Sequence, residues 1–296
     1  MIVREEAGAV KVEGVRDFDL DHIFDCGQCF RWEKRAAGGY FGVACGKTAL
    51  IEYDADEETL KISGANEEDF HNIWRGYLDL NRDYGLIKKE LAAADDVIAG
   101  AIEYGSGIRI LNQEKWETLV SFIISQNNNI PRIKKCINSL AQTLGEEAGE
   151  YEGRKIYNLP SPYVLAEATL DDLAVCRLGY RVKYLIETAG QVAEEGIESL
   201  EAMGEPDMSS DEVFEKLKGY CGVGPKVANC IALFSMGRVD RFPVDVWVKK
   251  VMNKLYGIDE SDVKTMTSFA AETFGRYGGI AQQYLFYYIT HNKELR

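Results

Sequence analysis

Hydrophobic and polar positions change period once along the 296-residue chain, near residue 66. Before that point, "CFRWEK" and "YFGVACGKTALIEYD" are rich in aromatic and β-branched residues at strand spacing. Gly38-Gly39 breaks them as a hairpin turn would. From "NEEDFHNIWRGYLDL" onward the spacing is helical and mostly stays so. "QEKWETLVSFIISQ" puts Trp116, Leu119, Val120 and Ile123 on one face. "PRIKKCINSLAQTLG" follows, with Pro131 near its start and Gly145 at its end. Thr169 with Asp172, and Ser209 with Glu212, have the spacing of a capping box, each opening a helix. No repeat and no low-complexity tract interrupts the pattern. It predicts an α+β chain: a mixed, β-rich domain over residues 1–111 and an all-helical domain over 112–296.

One connection in the helical part stands out. "LKGYCGVGPKVANCIALF" joins two helices through "GYCGVGP", a helix–hairpin–helix, and continues with Val227, Ala228, Ile231, Ala232 and Phe234 at helical spacing. Pro225 at a first helical position is ordinary, because its missing N–H would have no partner there. Lys226 is less so, since a cation opposes the positive end of the helix dipole. Gly222 and Gly224 allow a close backbone approach, and outward N–H groups at a helix start bind phosphate. A plain helix–helix turn would use the same glycines.

Asp245 in "RFPVDVWVKKVMNKLYG" precedes a helix with Val248, Val251, Met252 and Leu255 on its apolar side and Gly257 at its end. By itself it reads as an N-cap. Facing Lys226 it would complete an amine–carboxylate pair suited to attack at a sugar carbon. The unprotonated amine attacks, and the carboxylate stabilises the positive charge that develops on the sugar.

Composition narrows the class. The 46% hydrophobic content supports full cores, and no apolar run approaches a membrane span. The start is acidic and lacks a secretory leader pattern. Seven cysteines, an odd number, fit a reducing cytoplasm better than a disulfide framework. The net charge of −14 opposes nucleic-acid binding at long range, yet phosphate sites need only local positive charge. Arg132, Lys134 and Lys135, and Arg177, Arg181 and Lys183, supply such patches.

Taken with "GQCFRW", "GIRILNQEKWETLVSFIISQNNNIPRI", "RLGYRVKY" and "GGIAQQYLF", the hairpin and aspartate segments closely resemble the helix–hairpin–helix/GPD superfamily of DNA glycosylases. More narrowly they resemble its eukaryotic-like 8-oxoguanine glycosylases. The resemblance implies a TBP-like β-rich domain before the all-α helix–hairpin–helix domain. It implies excision of 8-oxoguanine from duplex DNA, with a lyase step, by a monomer. It also implies no required cofactor, with at most a structural monovalent or divalent cation at the hairpin.

Residue by residue, the resemblance makes Lys226 the nucleophile and Asp245 its electrostatic partner. Gly27, Cys230, Gln282 and Phe286 line the pocket of the flipped base. Asn127, Arg132, Tyr180 and Arg181 fill the gap and read the orphaned base. Gly222, Gly224 and Trp247 hold phosphate. Read without the resemblance, Gly27 is a turn glycine, Cys230 and Phe286 are core, and Gln282 is an exposed helical residue. Likewise "NNN" is a polar loop and "GYR" a turn with a surface arginine. Two positions depart from the family pattern: Trp247 replaces a histidine and Ile280 a tryptophan. Three other readings compete: an iron–sulfur relative, an alkyl-base glycosylase, and a DNA-binding hairpin protein without chemistry. The first needs four clustered cysteines late in the chain, and none follows Cys230. The second generally lacks the hairpin lysine. "CGQC" at 26–29 lacks a second pair to complete a metal site, and His22, His71 and His291 have no ligand spacing.

Overall fold

Gly39 marks the first tight constraint on the chain. In the computed structural model, which describes residues 1–295, it has φ +75°, and a Cβ there would lie 2.6 Å from the Ile51 carbonyl. Gly38-Gly39 thus closes the expected hairpin between β3 (Trp32–Lys34) and β4 (Tyr40–Ala44). With β1 (Ile2–Glu6), β2 (Ala9–Glu13), β5 (Lys47–Asp54) and β6 (Thr59–Ser63) they make one antiparallel sheet, ordered β1-β2-β6-β5-β4-β3. Its inner face buries Val10, Val12, Trp32, Tyr40, Ile51, Leu60 and Ile62 against Phe70, Trp74, Tyr77 and Leu78.

Among the described residues ten helices have eight residues or more. They are α1 (Tyr84–Ala94), α2 (Asp96–Tyr104), α3 (Lys115–Ser125), α4 (Ile130–Leu144), α5 (Arg181–Glu195), α6 (Ser210–Lys218), α7 (Pro225–Ser235), α8 (Val246–Tyr256), α9 (Val263–Thr273) and α10 (Gly278–His291). They surround a second core built on Leu119, Ile123, Leu185, Ile231, Val251 and Leu285. The two cores do not divide at residue 111. Residues of α1 and α2, among them Tyr84, Leu91 and Ile98, pack in the helical core, whereas Leu111 closes the sheet core.

The acidic stretch after α4 forms a β-hairpin of β7 (Glu147–Tyr151) and β8 (Arg154–Tyr157). Tyr151 stacks on Phe41 of β4 with ring centres 3.7 Å apart, and that contact anchors an otherwise polar ribbon. Thr169 and Asp172 do bond reciprocally, but they open turns and a 3-10 segment (Ala174–Cys176) rather than an α-helix. Ser209 and Glu212 form the expected capping box on α6, where a serine cap contributes about 1 kcal/mol.

Candidate active site

The hairpin between α6 and α7 places Lys226 in the first turn of α7. Gly222 has φ +75° and lies against the Tyr184 ring, where a Cβ would be 2.6 Å from the nearest carbon. No side chain caps α7, so its first N–H groups remain open beside the exposed Gly224. The Lys226 Nζ lies 5.3 Å from the centre of the Phe122 ring on α3.

Asp245 caps α8, its Oδ1 accepting from the Val248 N–H at 2.8 Å. Among the described residues its Oδ2 has no hydrogen-bond partner, so capping leaves one carboxylate oxygen for the site. Lys226 and Asp245 line one small inner pocket of about 50 Å³ with Gly27, Cys230, Gln282, Phe286, Phe122 and Pro243. That pocket adjoins an outer cleft of about 470 Å³, walled by Asn128, Asn129, Ile130 and Trp247. The four base-pocket residues and the amine–carboxylate pair, spread over more than 250 positions of sequence, therefore meet.

Each member is held by the fold. Gly27 has φ +78°, and a Cβ there would come within 3.2 Å of Phe286, so only glycine lets the two approach. Its loop is pinned on both sides. Gln283 donates to the Cys26 carbonyl at 2.5 Å, and the fully buried Gln28 bonds Ile23, Arg109 and Leu111. Gln282 is 4% exposed, and its buried Oε1 has no partner. A buried acceptor left unpaired costs about 1–3 kcal/mol. Burial pushes the Cys230 thiol up, and the charge of Lys226 opposes that shift. Phe286 is half-buried at the pocket wall.

Cys26 and Cys29 are buried free thiols. Burial pushes Cys26 up to about 12 and Cys29 well above its ordinary value. Burial thus keeps both in the thiol form. Among the described residues no group of three or more His, Cys, Asp or Glu could hold a metal ion.

The residues expected at the gap cluster at the α3–α4 loop and the start of α5. Asn127 is left-handed at φ 46° and donates to the Tyr180 hydroxyl at 3.2 Å. Tyr180 is 48% exposed, as a wedge requires. Arg132 is exposed and only grazes the Arg177 carbonyl, at 3.4 Å. Arg181 is not the surface arginine that a plain turn would present. It is 4% exposed, and its guanidinium donates to the carbonyls of Gln126, Asn127 and Leu178. Trp247 edges the groove beside Gly224, Lys226 and Lys249, with Lys250 Nζ 4.6 Å from its ring centre.

Phe122, Gln283 and Pro243 belong to this site, and the sequence pattern did not single them out. Phe122 sits in the buried run Thr118–Ile124 of α3, where nothing local separates a pocket wall from core.

A TBP-like sheet beside a helical body, with a hairpin lysine and a capping aspartate sharing one pocket, defines a base-excision glycosylase architecture. The chain matches the "8-oxoguanine DNA glycosylase, N-terminal domain" family over residues 12–119 and the "HhH-GPD superfamily base excision DNA repair protein" family over 120–276. It belongs to the HhH-GPD superfamily. It is similar to the Clostridium acetobutylicum 8-oxoguanine glycosylase/lyase, solved with double-stranded DNA containing cytosine opposite the lesion. The two share 43% identity and a TM-score of 0.92 over 99% of this chain and 98% of that one. N-glycosylase/DNA lyase OGG1 of Arabidopsis thaliana is 28% identical over 91% of this chain and 77% of its own. A 3-methyladenine glycosylase from Archaeoglobus fulgidus, 18% identical with a TM-score of 0.77 over 96% of this chain and 99% of its own, shares the fold.

Proposed function

We infer that the protein is a bifunctional DNA glycosylase and AP lyase that removes 8-oxoguanine from double-stranded DNA in base excision repair. The observation that carries this reading is the convergence of Lys226, Asp245 and the buried Gln282 on one pocket. A DNA-binding hairpin without chemistry has no use for that arrangement.

The target nucleotide leaves the stack, because C1′ is unreachable inside the duplex. The base enters the pocket between Cys230 and Phe286, which opens into the outer cleft. Gln282 then reads the Watson–Crick edge, and the Gly27 carbonyl accepts the N7–H that 8-oxoguanine has and guanine lacks. Guanine would put a lone pair against that carbonyl. Lys226 Nζ bonds to C1′ as the C1′–N9 bond breaks, and the electron pair leaves with the base, which takes up a proton. Asp245 Oδ2 stabilises the positive charge on the sugar. Nζ loses a proton, the C1′–O4′ bond breaks as O4′ takes up a proton to leave an iminium, and loss of a C2′ proton then breaks the C3′–O bond and expels the 3′-phosphate.

These steps use groups of the protein itself. A monovalent or divalent cation on hairpin carbonyls would add to the phosphate grip formed by Gly222, Gly224 and Trp247. No helix among the described residues is long and apolar enough to cross a membrane, and seven free thiols suit a reducing compartment such as the cytoplasm.

Borohydride is expected to trap a covalent adduct on an 8-oxoguanine duplex, and Lys226→Gln to abolish it. Undiminished trapping in that variant would remove Lys226 as nucleophile.

A further inference from the structure

Gln126 lies outside the inner pocket, yet it joins three parts of the DNA-facing surface. Its Nε2 donates to the Gly222 carbonyl of the hairpin at 2.9 Å and to the Ile123 carbonyl of α3 at 3.2 Å. Its own carbonyl accepts from Arg181 Nε at 2.8 Å, and Arg181 Nη2 reaches the Asn127 carbonyl at 3.0 Å. Asn127 in turn donates to Tyr180. The other side of the hairpin is fixed to α5. Thr188 Oγ1 donates to the Cys221 carbonyl at 2.6 Å, and the Cys221 N–H donates to Gln191 at 2.8 Å. Two residues of loop thus separate the turn that grips one strand from the side chains that would enter the gap.

We propose that Gln126 is a positioning residue that holds the Asn127–Tyr180 wedge in register with the hairpin. Gripping the lesion strand then also places the side chains that replace the flipped nucleotide. The proposal rests on the base-flipping reading above. Unstacking a base is offset when the gap is filled as it opens. A wedge that wanders relative to the hairpin fills the gap less often. Arg181, buried beneath the loop, serves the same register from below.

Gln126→Glu keeps the size of the side chain but turns an acceptor toward the Gly222 carbonyl. Gln126→Ala removes the link altogether. Three measurements separate positioning from scaffolding: single-turnover excision of 8-oxoguanine opposite cytosine, borohydride trapping on a preformed abasic duplex, and fluorescence of 2-aminopurine beside the lesion. The abasic duplex has no base to unstack. Both variants are expected to lose about tenfold or more in excision, as small misplacements do, while abasic trapping stays within about twofold. The fluorescence rise on binding falls with excision. In a Tyr180→Ala background, Gln126→Ala costs less than in the wild type, because half of the wedge it positions is gone. Three results would each overturn the proposal: undiminished excision in both variants, an equal loss on the abasic duplex, or additivity with Tyr180→Ala. If the wild type fails to excise 8-oxoguanine, the activity reading falls on that result alone. The fluorescence ratio of wild type to variants still decides the coupling.

Discussion

One substitution separates the cap that Asp245 forms from the charge that the proposed mechanism asks of it. Its Oδ1 caps α8, and the residue lines the pocket. Asp245→Asn keeps a side chain able to cap, so stability measured by denaturation is expected to change little. Single-turnover excision is expected to fall by about a hundredfold or more, the usual loss when a charge aimed at a transition state is removed. A normal excision rate would reduce Asp245 to scaffolding. Lys226 and Asp245 were legible in the sequence because each stands at a helix start marked by local signals, Gly-Pro in one case and an Asp cap in the other. Phe122 and Gln283 were not. Their roles depend on which buried direction becomes a pocket, and helical periodicity carries no such information.

In the proposed reaction the α3–α4 loop and the start of α5 face the orphaned base. Both Arg132 and Arg181 were expected to read it. In the structure Arg181 spends its donors on the loop's own carbonyls, whereas Arg132 stays exposed at the start of α4. An orphaned cytosine offers O2 and N3 acceptors to an arginine that has only donors, whereas adenine presents an N6 amino donor. One good base contact is worth roughly 1–3 kcal/mol, so a ten- to hundredfold preference for cytosine opposite the lesion is expected to rest on Arg132. Excision from duplexes with each of the four opposite bases checks it. Arg132→Met should flatten the profile, and equal wild-type rates on all four would refute the preference. Donor and acceptor types at this loop could be read from the sequence. Which arginine turns inward could not, since only packing against Gln126 decides it.

At the scale of the whole molecule, Arg31 fastens the sheet to the helical body. It pairs with Glu117 of α3 at 3.1 Å and also donates to the Tyr157 carbonyl of β8. Burial pushes the Glu117 carboxyl up to about 7, although the Arg31 charge works against that shift. An unfolded glutamate releases its proton near pH 4.3. Between those values the folded state holds a proton that the unfolded state has lost, so this group's stabilising effect is full at low pH and declines up to about pH 7. Denaturation of wild type and Glu117→Gln across that range is expected to show the variant gaining on the wild type as pH rises, then levelling off. A constant difference between the two would place Glu117 outside the linkage.

The order of elements, the hairpin, the caps and the reacting pair were set by local rules: period, glycine and proline placement, and side chains that satisfy helix ends. Those rules act over a few residues and can be read from one strand of text. The β7–β8 ribbon, the membership of α1 and α2 in the helical core, the inward turn of Arg181 and the unpartnered Gln282 carbonyl were decided only in three dimensions. Each depends on a surface supplied by distant residues: Phe41 for the ribbon, α10 for α2, the Gln126 loop for the arginine. Burial and hydrogen-bond satisfaction are properties of the assembled chain, and those partners have no fixed spacing along it.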